Sequence, residues 1–561
     1  MLTRRCLALL LLAACSSDGG KQAPPDAGDV PSAPPRPNTP VLGRTEALGT
    51  VVSPLRRPML PVYGTDLGWA FAHRDELWVL FGDSWKSLLA DGLAENADDA
   101  LGKLSLREFP DGDAVERWLA SQAGPSLLPS WHTPAPPVRL ATDLAEQPLP
   151  IRTRADGESL SSGPALTPMA GFSNARPDEG AAAFALFMRN EPVPCSAAGL
   201  CEGGFTCDPQ LGRCSPLDAL SQPCVVGTSE CDCVPAGGGH GLCQDRTSST
   251  YDPSSERGRT QAVVMRQRVG NALRESDTTF ATQPWDTRRF YNAAARTVND
   301  FDPDATDATR HDYAPADGQQ PEREGVFIWG RPGFGGVRAL GRDAQLYLAW
   351  VPMPTYDATG RFAFRPRYFA GRDERGSPRF VERELDAAPL DLDARTDGEQ
   401  PEEVQDLVGQ MAISWVPALG RFVMIYGGGL GTSFMDLIFA SDRALLARDP
   451  LGALYVRYAE HPWGPWTPPE PLLVAGAPER GVTGQYGPGG ILHHPGCLGL
   501  TCAPGEPSYV TTPGETGQLY GPSIIDPWTE VRADGAVDLY WHVSTWNPYQ
   551  VLLMKTRIMR P

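Results

Sequence analysis

Short apolar runs, each bounded by glycine, proline or aspartate, recur along most of this chain, and they favour an all-β fold. Five strand-rich units can be distinguished, covering residues 67–85, 180–189, 325–369, 411–466 and 484–558. Long amphipathic helical segments are almost absent, and residues 101–122 are the best candidate for one. The 59 glycines and 56 prolines are typical of a chain with many turns.

Repetition of small antiparallel sheets around an axis is how a β-propeller limits its exposed sheet edges. The five units therefore predict a five-bladed β-propeller. In the first unit, Leu77, Val79 and Phe81 alternate with Trp78 and Leu80, so both faces of this strand are apolar. We expect such a strand to be covered on both sides, as neighbouring blades would do. A jelly roll or a pair of sandwiches is the alternative fold.

The N-terminal segment indicates export. A short basic segment and a brief apolar run precede Leu12-Ala13-Ala14-Cys15, and the run is too short to span a bilayer. Residues 1–15 resemble a bacterial lipoprotein signal in which Cys15 is lipidated; an ordinary secretory signal is the alternative. Residues 16–40 are rich in proline, glycine, alanine and serine, which predicts a disordered tether. We expect the propeller over residues 41–561, lipid-anchored to the cell envelope at the outer membrane or cell surface.

Cysteine usage agrees with export. Apart from Cys6 and Cys15, ten of the twelve cysteines remain, and eight of these lie from Cys195 to Cys243. We predict that residues 195–258 form a small insert held by up to four disulfides, whose connectivity the sequence does not determine. A zinc site is the alternative, although the spacings are not the usual paired CxxC. We expect neither metal nor cofactor.

The net charge of −19 disfavours nucleic acid and other polyanionic partners. No segment after the N-terminal run is long and apolar enough to cross a membrane, so the expected membrane contact is the lipid anchor alone. No nucleophile elbow, phosphate loop or dinucleotide fingerprint stands out. We expect a monomer.

The first unit also places two aspartates at the ends of one predicted β-hairpin. A two-residue turn at Arg74-Asp75 is its natural centre, and its register pairs Asp66 with Asp83. Their Cβ atoms would lie roughly 4.5–5.5 Å apart, where like charges destabilise a sheet unless something uses them. Most glycoside hydrolases use a pair of carboxylates at such a spacing. The alternative is a structural role, in which the aspartates cap turns or bind a cation.

Residues 65–68 and 77–85 resemble the opening blade of a bacterial family of five-bladed propellers, long classed as a domain of unknown function, that includes secreted endo-D-arabinanases. Residues 459–466 and 544–550 support the resemblance, which spans about 63–558 apart from the cysteine-rich insert. It implies a furanoside-active pocket with catalytic acids at Asp66 and Asp83. The insert departs from the compact family pattern.

Aromatic and amide side chains suit the apolar faces and hydroxyl groups of sugars. We predict substrate contacts from Trp85, Tyr520, Trp546 and Asn547. A third acid could come from one of four residues, each of which could instead be a surface or loop residue. These candidates are Asp178, Glu179, Glu324 and Asp526.

The predicted function is that of an exported glycoside hydrolase acting on a furanose-containing, arabinan-like polysaccharide through Asp66 and Asp83. The alternative is a non-catalytic propeller that binds glycans or another protein. A structural envelope lipoprotein is a third class.

Overall fold

The structure is a computed structural model, and the chain divides into two units, Met1–Asn38 and Thr39–Pro561. The residues that it describes are 39–52, 64–82, 84–85, 96–97, 99–122, 135–136, 138–140, 153–155, 158–160, 166–174, 183–189, 193–194, 206–208, 213–215, 223–225, 232–237, 240–244, 259–265, 278–280, 289–290, 292–304, 311–318, 323–331, 346–354, 365–374, 376–392, 408–427, 454–473, 518–546 and 550–560. The predicted signal with Cys15, and residues 16–38 of the predicted tether, lie outside them.

Five sheets of four or five strands form the body of the described structure. The first strand, β1, is Val41–Val52. Sheet I contains β2 (Leu67–His73), β3 (Glu76–Phe81), β4 (Ala100–Ser105) and β5 (Arg139–Leu140). Sheet II contains β6 (Leu166–Ser173), β7 (Ala183–Arg189), β8 (Arg259–Met265) and β9 (Thr278–Phe280).

The remaining three large sheets follow in chain order. Sheet III contains β10 (Asn292–Val298), β11 (Gly325–Arg331), β12 (Tyr347–Pro352), β13 (Arg367–Arg372) and β14 (Pro378–Val381). Sheet IV contains β15 (Met411–Val416), β16 (Arg421–Gly427), β17 (Leu454–Ala459) and β18 (Glu470–Leu473). Sheet V contains β19 (Gln518–Ile524), β20 (Glu530–Val531), β21 (Val537–Trp546), β22 (Gln550–Met559) and β1.

Ten shorter strands form four small sheets. They are Ser84–Trp85, Asn96–Ala97, Thr153–Ala155, Glu158–Leu160, Val193–Pro194, Thr206–Asp208, Arg213–Ser215, Pro223–Val225, Asp232–Gly237 and His240–Gln244. The last five lie inside the predicted cysteine-rich insert. The cysteine side chains lie outside the described part of the chain, so the disulfides remain a prediction.

Helical structure is limited in the described residues. Helix α1 is Gly112–Gln122, and Glu384–Asp386 and Asp526–Trp528 are single 3₁₀ turns. The prediction of a helix over 101–122 is therefore wrong for its first part, because residues up to Ser105 pair in β4 with strand β3. No helix in the described ranges is long and apolar enough to cross a membrane.

Strands β2, β6, β10, β15 and β19, which we call the first strands of the five large sheets, form a closed ring. Strand β2 contacts β6 and β19, β6 contacts β10, β10 contacts β15, and β15 contacts β19. The two ends of the described chain also meet, because β1 pairs antiparallel with β22 in sheet V. The prediction of an all-β, propeller-like arrangement is confirmed.

Five buried apolar clusters fill the spaces between successive sheets. Leu77, Val79 and Phe81 pack toward sheet V, whereas Trp78 and Leu80 pack toward sheet II. The other three clusters join sheets II and III, sheets III and IV, and sheets IV and V. The prediction that β3 is covered on both faces is therefore correct.

Candidate active site

The hairpin that carries Asp66 has the predicted turn but a different register at its open end. Arg74 takes a φ of 55°, and residues pair as predicted from His73 and Glu76 outward to Trp69 and Leu80. A β-bulge then places Leu67 opposite Phe81, and the Gly82 amide donates to the Asp66 carbonyl over 3.1 Å. The predicted pairing of Asp66 with Asp83 is therefore wrong, because Asp66 pairs with Gly82, one residue earlier.

The bulge holds Leu67 and Gly68 in the left-handed region, with φ values of 65° and 80°. For a leucine this conformation costs roughly 1–2 kcal/mol, so surrounding contacts must impose it. The carbonyl of Leu67 accepts a 2.9 Å hydrogen bond from Ser544 Oγ. The carbonyl of Gly68 is 3.0 Å from Nδ1 of His542, which donates as the Nδ1–H tautomer. Both partners lie on β21, so sheet V fixes the backbone beside Asp66.

Asp66 directly precedes β2, and only 8% of it is exposed. The Tyr520 hydroxyl donates to Asp66 Oδ2 over 2.7 Å. A Cβ atom at Gly82 would lie 2.3 Å from Asp66 Oδ1, so this glycine makes room for the carboxylate. The arrangement thus presents Asp66 as a positioned carboxylate.

Hydroxyl groups brace the backbone next to Asp66. Thr65 Oγ1 lies 2.8 Å from Ser84 Oγ, and Ser84 Oγ donates to the Gly82 carbonyl over 2.9 Å. Thr65 and Ser84 are both fully buried. These contacts tie the two open ends of the β2–β3 hairpin together.

Gln410, which the sequence analysis did not single out, lies against the same bulge. Gly521 has a φ of 57°, and a Cβ atom there would lie 3.4 Å from Leu67 Cα and 3.6 Å from Gln410 Oε1. Gln410 is fully buried. A sequence signal was present, because Gln410 directly precedes β15 as Asp66 directly precedes β2.

A cavity of about 180 Å³ lies between the first strands of the five large sheets. Its charged lining residues are Arg296 and Asp526, and neither Asp66 nor Tyr520 lines it. Arg296 forms an ion pair with Asp526, and the Ser414 hydroxyl donates to the same carboxylate. Burial lowers the pKa of Arg296 to about 10, so the guanidinium stays charged at neutral pH.

The sequence candidates for a third acid differ in their surroundings. Asp526 opens the 3₁₀ turn after β19 and joins sheets III, IV and V through Arg296 and Ser414. Glu324 directly precedes β11, is fully buried and accepts the Gly318 amide over 2.7 Å. Asp178 and Glu179 lie outside the described residues.

The other predicted site residues are described only in part. Trp85 and Trp546 lie in strands, Trp85 opposite Asn96 and Trp546 opposite Gln518, but their side chains are outside the described set. Asp83 and Asn547 lie outside the described residues altogether. Only Asp66 and Tyr520 are therefore seen in contact, and the catalytic assignment of Asp66 and Asp83 stays a prediction.

His73, at the turn end of the hairpin, lies 2.7 Å from Ser173 Oγ through Nδ1, and its pKa is lowered to about 4, chiefly by burial. Among the described residues, no group of three or more His, Cys, Asp or Glu side chains could hold a metal ion.

Comparison with solved structures finds glycoside hydrolases of family 43 (GH43). The β-xylosidase/α-arabinofuranosidase CoXyl43 from a compost microbial metagenome is 9% identical, with a TM-score of 0.31 over 92% of this chain and 95% of that chain. A GH43_1 enzyme from Xanthomonas citri is 9% identical, with a TM-score of 0.31 over 91% and 89% of the two chains. An arabinoxylan arabinofuranohydrolase from Bacillus subtilis is 6% identical, with a TM-score of 0.31 over 90% and 66%.

No family model and no curated protein matches the chain. Similarity at these identities and TM-scores assigns no activity to this chain.

Proposed function

We propose that this chain is an exported, lipid-anchored glycoside hydrolase that acts on a furanose-containing, arabinan-like polysaccharide. The five large sheets are its five blades, and Asp66 and Asp83 are its catalytic pair. The protein acts as a monomer, with Trp85, Trp546 and Asn547 contacting substrate. The resemblance of residues 65–68 and 77–85 to secreted endo-D-arabinanases supports the substrate class.

The contact between Tyr520 and Asp66 is the observation that carries this proposal. A buried carboxylate that accepts a 2.7 Å hydrogen bond beside a strained bulge is held in a fixed position. Glycoside hydrolysis needs one ionised carboxylate, which attacks the anomeric carbon or activates water. We assign this role to Asp66.

Asp83 then supplies the second function, protonation of the leaving oxygen. For Tyr520 we propose a positioning role in place of the substrate contact predicted from the sequence. Its hydroxyl is hydrogen-bonded to Asp66, so it positions the carboxylate rather than binding sugar directly.

The low exposure of Asp66 favours one alternative, a non-catalytic propeller that binds glycans. In that case Asp66 would be a structural carboxylate that holds Tyr520 and the bulge in place. The two functions differ in one measurable respect, because a binding protein retains glycan without releasing sugar.

The test is sugar release by the purified protein from arabinan, arabinoxylan, galactan and xylan. We expect release from a furanose-containing polymer, and a loss of about 10²–10⁴-fold in Asp66→Asn and in Asp83→Asn. Asp75→Asn is the matched control, because Asp75 lies at the turn of the same hairpin and pairs with the exposed Arg107. Release that survives both substitutions would refute the catalytic pair. Retention of polymer without release would favour the binding alternative.

A further inference from the structure

Gln410 occupies in sheet IV the position that Asp66 occupies in sheet I. Each residue directly precedes the first strand of its sheet. The Asp66 carbonyl accepts the Gly82 amide, just after β3, over 3.1 Å, and the Gln410 carbonyl accepts the amide of Gly427, at the end of β16, over 3.0 Å. The propeller-like arrangement therefore presents an amide and a carboxylate from equivalent backbone positions.

The side-chain amide of Gln410 is fully buried, yet it has no hydrogen-bond partner among the described residues. Neither Oε1 nor Nε2 makes a hydrogen bond to another residue of the structure as described. A buried polar group left without a partner typically costs about 1–3 kcal/mol, which a purely structural glutamine would not need to bear. A ligand that reaches this amide would find both donors and the acceptor unpaired among the described residues.

The amide also lies beside the bulge at Leu67 and Gly68. Gly521 separates Gln410 Oε1 from Leu67 Cα, since a Cβ atom at Gly521 would lie within 3.6 Å of both. Leu67 directly follows Asp66, and Gly521 directly follows Tyr520, whose hydroxyl is bonded to Asp66. Gln410 therefore lies beside the backbone of the residue that follows Asp66.

We propose that Gln410 is a specificity-determining residue that hydrogen-bonds the hydroxyl groups of the sugar ring held at Asp66. A hydroxyl both donates and accepts, so two neighbouring hydroxyls can satisfy Oε1 and Nε2 together. Asp66 acts on the anomeric carbon, whereas Gln410 selects sugars that carry hydroxyls at the correct place. This inference rests on the proposed function.

Gln410→Met is the informative variant, because methionine nearly matches glutamine in size and makes no strong hydrogen bonds. We expect arabinotetraose affinity, measured calorimetrically in an Asp66→Asn background, to fall about 10- to 100-fold. The midpoint of unfolding should stay unchanged or rise, because an unpaired buried amide is removed. Gln122→Met, at the exposed end of α1, controls for the substitution itself.

A tetrasaccharide that lacks one ring hydroxyl identifies the contact. If the missing hydroxyl is the one that Gln410 binds, the deoxy sugar should bind the Asp66→Asn protein about 10- to 100-fold more weakly than the complete tetrasaccharide does. Adding Gln410→Met should then weaken binding of the deoxy sugar little further. Equal binding of the complete tetrasaccharide by the Asp66→Asn protein and the Asp66→Asn/Gln410→Met protein would overturn the inference. The proposed hydrolase would still stand, provided that the wild type releases sugar. Lower stability with unchanged binding would overturn it too, since Gln410 would then be structural. If the wild type neither binds nor cleaves any glycan, the proposed function fails and this inference fails with it.

Discussion

At the scale of single residues, Asp66 depends on groups that are distant in sequence. Its hydrogen-bond donor, Tyr520, is 454 positions away along the chain. The bulge beside it is held by Ser544 and His542. A change at any of these positions should act through the placement or charge of one carboxylate.

Replacement of Tyr520 by phenylalanine should lower kcat about tenfold and change KM little, because the ring still packs while the donor to Asp66 Oδ2 is lost. Initial rates on the polymer that the wild type cleaves give both constants. Tyr313→Phe is the matched control, since Tyr313 bonds His461 in the cluster between sheets III and IV. A rise in KM with unchanged kcat would indicate that Tyr520 binds sugar instead.

His542 should make stability depend on pH. Burial lowers its pKa from 6.5 to about 4, so the folded protein keeps this histidine neutral while the unfolded chain takes up a proton below 6.5. The unfolded state therefore binds more protons in this window, and stability falls as the pH falls. The loss from this one group can reach about 3 kcal/mol.

Urea unfolding across that window, with His542→Asn for comparison, checks this expectation. Asparagine can still donate to the Gly68 carbonyl but does not titrate. The variant should show a shallower pH dependence than the wild type. His73 contributes in the same direction, because burial also lowers its pKa to about 4. Parallel curves for the two proteins would contradict the assignment to His542.

At the scale of secondary-structure elements, the ion pair of Arg296 and Asp526 joins three sheets. Arg296 comes from β10, Ser414 comes from β15, and Asp526 follows β19. Only 8% of the Arg296 side chain is exposed, so the cation depends on its partner for compensation. The pair therefore fixes the relative placement of the first strands around the cavity.

Asp526→Asn should destabilise the fold by about 3 kcal/mol, because it leaves a buried guanidinium without a counter-charge. The double variant Arg296→Met/Asp526→Asn should recover much of that loss. Chemical unfolding of the single and double variants gives the coupling between the two residues. Asp75→Asn removes an exposed pair with Arg107 and should cost less than about 1 kcal/mol. Equal losses of stability in Asp526→Asn and Asp75→Asn would mean that the buried ion pair stabilises the fold no more than the exposed one does.

At the scale of the whole molecule, closure depends on the two ends of the described chain. Strand β1 pairs with β22 from Val41 opposite Met559 to Val52 opposite Val551, and Thr45 Oγ1 lies 3.0 Å from Thr556 Oγ1. Residues Val51 and Val52 also belong to the cluster between sheets V and I. Closure therefore combines hydrogen bonding with apolar packing.

A chain that begins after Val52 should lose cooperative unfolding or fail to fold, because β22 would lose its outer partner and the cluster would lose Val51 and Val52. A chain that begins at Thr39 keeps every described strand and should unfold at the same temperature as the full chain. Calorimetry compares the three proteins. Retention of the full transition without β1 would show that closure does not need this strand.

Local pattern was sufficient to predict much of the fold. The alternation in Leu77–Phe81 predicted a strand covered on both faces, and it packs in two separate clusters. The turn at Arg74-Asp75 and the register near it were also correct. Residues 101–105 were misassigned, because pairing with β3 overrides the helical pattern there. For the candidate site, the sequence named Asp66 and Tyr520 but not their contact, and it missed Gln410.

The sequence by itself determined the all-β class, the repeated strand units and the hairpin that carries Asp66, since period-two alternation and turn chemistry act between near neighbours. Only the tertiary structure decided the details of the site. Contacts from β21 impose the bulge at Leu67 and Gly68, and that bulge moves Asp66 opposite Gly82. The ring of first strands then brings Tyr520 to the carboxylate and Gln410 to the neighbouring bulge. Such contacts leave no local pattern, because they join residues hundreds of positions apart and arise only when the sheets pack.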